Sequence, residues 1–322
     1  MSKLFLFTLV LSFVSCSSSW DSTQDQALLE KAKDNFSPIP KTLINEEKNA
    51  ELISLGKKLY FEKKLSANGT ISCNSCHNLD TFGVDNLPTS PGHDGTFGGR
   101  NSPTTLNSAI HLAQFWDGRA KDVEEQALGP LLNPIEHGLK SKKHAMKILL
   151  QANYKPLFKK AFPKRKNYFS FSNIGVAIGA FEKTLMTPSR FDDFLKGDVT
   201  ALSASEKHGL NKFIEVGCVS CHEGQGIGGG MYQQLGLVEP YPTKDKGRYE
   251  ITKDEDDMFV FKVPSLRNIQ HTAPYFHDGS LKTLDETINI MAKHQLGEKL
   301  TSNDIRNIKS FLHSLSAKFT NF

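Results

Sequence analysis

Two pentapeptides of one pattern constrain this chain more than anything else in it: Cys73-Asn74-Ser75-Cys76-His77 and Cys218-Val219-Ser220-Cys221-His222. Cys-x-x-Cys-His is the attachment pattern of c-type haem. Two thiols at this spacing can each form a thioether to one vinyl group of the porphyrin, and the histidine that follows supplies the proximal nitrogen to iron. What fills the sixth position then separates an electron carrier from a catalyst. A zinc ribbon keeps its two cysteine pairs close in sequence, whereas Cys73 and Cys218 lie 145 positions apart. A redox pair of the thioredoxin kind needs a βαβ setting, which neither motif has. The chain is therefore expected to carry two covalently bound haem c groups, using four of its five cysteines.

The N-terminus reads as an export signal over residues 1–15, with Lys3 as its charged start and an apolar run from Leu4 to Val14. That run is too short for a permanent span. Ser15-Cys16 followed by three serines has the form of a lipoprotein cleavage site, with Phe13 where leucine is usual. Cys16 is then the lipidated residue; ordinary cleavage that discards it is the plainer alternative. Either route leads to the periplasm, where c-type attachment takes place, and the lipoprotein route adds a lipid anchor at Cys16. The 39 basic and 35 acidic residues nearly balance, which argues against nucleic acid as a partner.

The 322 residues allow two domains of ordinary size. Residues 16–45 read as a tether, 46–188 as a domain around the first motif, and 189–322 as a domain around the second. Apolar spacing predicts helices over 46–61, about 121–129, 141–161, 172–186, 203–216, 283–293 and 302–315. Ser203 with Glu206, and Thr283 with Glu286, have the form of capping boxes. Glu182 and Lys183 fall off the stripe made by Ile174, Ile178, Phe181 and Leu185, and read as a solvated face. Residues 78–101 form a long loop carrying His93, and Val260–Val263 reads as a short strand. Pro103, Asn107, Asp117-Gly118 and Glu125 recur as Pro264, Asn268, Asp278-Gly279 and Glu286, each 161 positions on. This repeat points to an all-α fold of two cytochrome c-like domains, each with one haem, arisen by duplication.

With these stretches together, the sequence resembles the bacterial dihaem cytochrome c peroxidases over about residues 46–315. The resemblance rests on the two haem motifs and on segments such as Gly92–Asp94, Phe115–Ala120, Asn133–Glu136, Thr272–Ser280 and Met291–Gly297. It implies a peroxidatic haem held by Cys73, Cys76 and His77, and an electron-transfer haem held by Cys218, Cys221 and His222. His93 matches the distal ligand that leaves the peroxidatic iron on activation, and its glycine-rich loop suits movement. Met291 matches the thioether ligand of the second iron; by residue type alone Met231 and Met258 are rivals. Trp116 matches the aromatic between the haems. Glu136 and Gln126 match the polar residues of the peroxide pocket, although His137 follows Glu136 where methionine is common. Asn101 and the carbonyls of Thr272 and Pro274 match a calcium site, oxygen donors of the kind that ion takes. Arg100, Arg119, Arg248 and Arg267 are candidate partners of haem propionates.

The implied activity is reduction of hydrogen peroxide to water with electrons from a small cytochrome c or cupredoxin, by an enzyme that in this family is often a homodimer. Two other readings stand beside it. One is a dihaem electron carrier. The other is a protein-oxidising relative of the kind that matures quinone cofactors, in which tyrosine stands at the place of Met291.

Overall fold

The computed structural model describes residues 20–319; the expected signal segment and Cys16 lie outside the described residues. Two helix crossings organise the molecule. In the first half, α2 (Ala50–Tyr60), which leads into the first haem motif, crosses α8 (Phe171–Glu182). The crossing is close because Gly56 sits at it: a Cβ there would lie 1.8 Å from the Ala177 carbonyl oxygen. In the second half, α10 (Ala204–Glu215) crosses α13 (Ser302–Ser314) in the same way. There Gly209 is the thin point, with the Asn307 carbonyl oxygen 1.8 Å from where its Cβ would be.

Between α2 and α8 lie α3 (Cys73–Cys76), the paired short helices α4 (Val123–Gln126) and α5 (Gly129–Leu132), α6 (Lys142–Gln151) and α7 (Lys155–Ala161). The sequence reads 121–129 and 141–161 as continuous helices. The first is interrupted before Pro130, and the second is broken at residues 152–154, where Asn153 adopts a positive φ of 62°. The second half adds α9 (Arg190–Leu195), α11 (Tyr249–Thr252) and α12 (Leu284–Met291), which runs on into a π-helical turn over Ala292–Leu296. The reciprocal capping box of Ser203 and Glu206 forms at the start of α10; at α12, Thr283 accepts from the Glu286 amide. The expected strand over 260–263 is β2 (Val260–Lys262), antiparallel to β1 (Tyr232–Gln234).

Two apolar cores follow. One is built on Leu55, Leu59, Phe158, Ile174 and Phe181, the other on Leu210, Phe213, Phe311, Leu312 and Phe191. The stretch read as a tether contains α1 (Ser22–Asn35), whose Leu28, Leu29 and Ala32, with Phe36 after it, are buried in the second core. These apolar side chains lie on one face of a helix capped reciprocally by Asp21 and Gln24. Glu182 corrects a second expectation. It is 3% exposed, on the last turn of α8, and burial raises its carboxyl to about 8. Position 182 follows Ile178 by four residues, so it shares the inward face rather than the solvated one.

The halves meet through matched asparagines. Asn107 and Asn268 both take φ of 62°, and both donate from Nδ2 to the Thr187 hydroxyl, at 2.8 and 2.9 Å. Their side-chain oxygens accept from the amides of Thr187 and Ala317, so each pins the chain that leaves its own half's closing helix.

Candidate haem sites

The first motif forms the single-turn helix α3, capped by Ser72 and Ser75. Burial pushes the Cys73 thiol up to about 12 and that of Cys76 to about 11. A redox-active or metal-binding cysteine needs the opposite shift, toward thiolate. His77 donates from Nδ1 to the Pro103 carbonyl at 2.9 Å, which fixes the ring and leaves Nε2 as its ligand atom. Tyr60, buried behind the motif, donates to the His77 carbonyl at 2.6 Å.

Beside this motif the chain gathers polar groups. The turn Asn133–Gly138 carries Glu136, whose carboxylate accepts from Asn133 Nδ2 at 2.6 Å. Burial raises the Glu136 carboxyl, while the Arg119 guanidinium and the Asn133 amide oppose that rise. Arg119 lies 3.5 Å over the Phe115 ring and bonds Asp117 at 2.8 Å. Phe115, Arg119, Asn133 and Glu136 line one small cavity. Gln126 is absent from its lining, and the neighbouring Glu125 takes that place. The loop bearing His93 is packed against the same turn: the His93 amide donates to the Glu136 carbonyl at 2.9 Å, and a Cβ on Gly138 would lie 2.3 Å from the His93 ring. His137 is buried, bonds the Leu65 carbonyl at 2.6 Å and is lowered by burial, so it brings no charge to the pocket.

The second motif opens on Gly217 at φ 89° and makes a 3₁₀ turn over Cys218–Ser220. Burial pushes Cys218 up to about 12 and lowers His222 to about 4. The Pro264 carbonyl lies beside His222 Nδ1, the counterpart of Pro103 beside His77, without closing a full hydrogen bond. Cys218, Cys221, His222 and Met291 line one large cavity, to which Met231 and Met258 do not contribute. Leu284, Ile288 and Leu312 make its walls apolar. Trp116 lines it as well, donating from Nε1 to the Asn101 carbonyl at 2.9 Å and accepting from the Lys262 amide at 2.7 Å. Phe115 lines both cavities, so residues 115–119 form the wall between them. Asn101, Thr272 and Pro274 are all among the residues lining the second cavity.

The proposed propionate arginines are otherwise engaged. Arg100 bonds Asp245 and Asp117, each at 2.6 Å; Arg119 bonds Asp117; Arg248 reaches Asp257 and the Asp117 carbonyl. Arg267 and Asp192 form a fully buried bidentate pair at 2.8 and 2.9 Å. Sequence reasoning missed Lys262 and His111, which line the second cavity.

Two relatives show what this arrangement is. The cytochrome c551 peroxidase of Pseudomonas aeruginosa is 44% identical over 97% of this chain and 92% of its own length. The chain belongs to the dihaem cytochrome c peroxidase family. The cytochrome c551 peroxidase of Nitrosomonas europaea is 45% identical over 85% of this chain and 82% of its own length. The family model for di-haem cytochrome c peroxidase matches residues 50–200. A solved MauG-like protein associated with microbial copper homeostasis superposes with a TM-score of 0.76 at 30% identity, covering 87% of this chain and 94% of that one.

Proposed function

We propose that this dihaem cytochrome c peroxidase reduces hydrogen peroxide to two waters, drawing two electrons from a small periplasmic cytochrome c or cupredoxin and taking up two protons. The observation that carries this reading is the asymmetry of the two sites, with a half-buried carboxylate beside the first motif and a methionine in an apolar cavity beside the second. Cys73, Cys76 and His77 would hold one haem and Cys218, Cys221, His222 and Met291 the other; the thiols held neutral by burial, the His77 imidazole held by the Pro103 carbonyl and the buried His222 imidazole beside the Pro264 carbonyl fit covalent attachment. Bound haem supplies the redox equivalents and the metal position at which peroxide is reduced. Glu136 takes a proton from one peroxide oxygen and returns it to the departing one. Arg119 and Asn133 oppose the burial-driven rise of its carboxyl. His93, on the loop bonded to the Glu136 turn, closes the first site and must move for peroxide to enter. Trp116 lies in the wall between the sites, placed to couple them. Gln126 has weaker support, since it does not line the first pocket.

The Gly56 and Gly209 crossings and the paired asparagines support a duplicated cytochrome c domain with boundaries near 46–188 and 189–322, α1 joining the second. Calcium held by Asn101, Thr272 and Pro274 is supported by the family resemblance and by their lining the same cavity, and homodimer formation and lipidation at Cys16 by family analogy and the N-terminal sequence. The protein-oxidising alternative is disfavoured because Met291, not tyrosine, lines the second cavity, and because identity to a methylamine utilization protein MauG is 31% against 44% and 45% to the peroxidases.

The test is Glu136→Gln in haem-loaded protein. Both haem spectra persist and turnover falls by roughly 100-fold or more. Wild-type turnover in that variant removes Glu136 from the mechanism.

A further inference from the structure

Lys262 is a cation buried without a counter-charge. It is 7% exposed, on β2, and lines the second cavity. Among the described residues its ammonium has neither a hydrogen-bond acceptor nor a carboxylate, and burial alone lowers it, to about 8. None of the residues lining that cavity is Asp or Glu. The arginines nearby cannot serve as its equivalents, because Arg100, Arg119 and Arg267 are already matched to Asp245, Asp117 and Asp192. Beside it, His111 also lines the cavity, and its Nε2 is buried with no partner. An unpaired buried cation costs stability unless an anion arrives to meet it, and an unpaired buried imidazole nitrogen costs stability until it finds a hydrogen-bond partner, which a carboxylate supplies when that nitrogen carries the proton.

A haem carries two carboxylates of this kind at one edge. The Lys262 amide is bonded to the Trp116 carbonyl at 2.7 Å, which places the pair at the side of the cavity nearest the wall between the two sites. We propose that Lys262, with His111 beside it, receives a propionate of the haem held by Cys218, Cys221 and His222, and that its charge raises that haem's reduction potential. A fixed positive charge near the iron favours the state with one more electron, and low polarity around it strengthens the effect. Lys262 thus assists Met291 in making the second site the better electron acceptor. The inference rests on the second cavity holding a haem.

The experiment is an optical redox titration of the haem-loaded protein for wild type, Lys262→Leu and Lys262→Arg. At the poise that half-reduces the second haem of wild type, Lys262→Leu lowers its reduced-to-oxidised ratio about tenfold, a shift of about 59 mV. Lys262→Arg stays within about twofold of wild type, and the first haem titrates unchanged in both. Failure of Lys262→Leu alone to retain its second haem also supports the pairing. An unchanged second potential in a fully loaded Lys262→Leu overturns it, as does loss of the haem from both variants, which makes shape rather than charge the requirement. Fewer than two haems per wild-type chain overturns instead the reading on which the inference rests.

Discussion

The two haem motifs share a pattern, a preceding helix, a glycine crossing and a proline carbonyl near the histidine, yet the ground opposite each differs. Facing the first is irregular backbone: the His93 loop and the Asn133–Gly138 turn, tied by the bond from the His93 amide to the Glu136 carbonyl. Facing the second is regular helix, with Met291 at the end of α12 amid Leu284 and Ile288. A loop can surrender a ligand and offer a carboxylate, whereas a packed helix holds a soft ligand in place. On the function proposed above, one scaffold serves catalysis at the first motif and electron storage at the second according to what faces each histidine.

The comparison breaks most severely at the crossings the halves have in common. Gly56→Val and Gly209→Val each force a side chain into a backbone carbonyl, at the upper end of the roughly 1–3 kcal/mol that overpacking costs. Each is expected to lower thermal stability and haem retention in its own half first, read by melting and by haem content. Equal loss from both halves would mean they fold as one unit. Next in size, Met291→His lowers the second haem's potential with folding intact, since histidine favours the oxidised iron more than methionine does. An unchanged redox titration would show that Met291 is not the ligand.

A smaller effect separates the pockets electrostatically. Arg119 opposes the burial-driven rise of the Glu136 carboxyl. Removing that cation in Arg119→Leu raises the carboxyl further, so the acid limb of the pH–rate profile moves to higher pH. A limb that stays put, or moves down, would uncouple the two groups. A separate effect is on stability and is confined to the first half. The folded Glu182 carboxyl titrates at about 8 against 4.5 for an ordinary one. A raised value means the stability associated with its protonated form is full at low pH and is lost as pH climbs through that interval. Glu182→Gln should therefore melt higher than wild type at pH 8, by several degrees, and nearly level with it at pH 4. A constant difference across that range would show that ionisation of Glu182 is not responsible.

How much of this was legible in advance depended on whether a residue's role is local. The haem motifs, most helices and the Ser203 capping box are written in short spacings, and the structure places them accordingly. Residue type alone could not separate Met291 from Met231 and Met258; the family resemblance singled it out, and of the three it is the one that lines the cavity with His222. Burial of Glu182 was available from its spacing to Ile178, but charge suggested solvent. Helix α1 was hidden by a polar composition around a few apolar residues on one face. Lys262 could not be found from sequence, because a lone lysine in a strand does not declare that its neighbours lack carboxylates. Nor do the arginines declare their carboxylate partners, which lie up to 145 positions away, as with Arg100 and Asp245.

The measurement that bears most directly on the division of labour is peroxide-dependent oxidation of a reduced cytochrome c by the haem-loaded protein, followed optically beside Glu136→Gln. The account predicts steady oxidation that stops when peroxide is exhausted, two donor molecules per peroxide, and its near-abolition in the variant. Electron uptake by the second haem with no peroxide-dependent oxidation would make the protein an electron carrier and contradict the account.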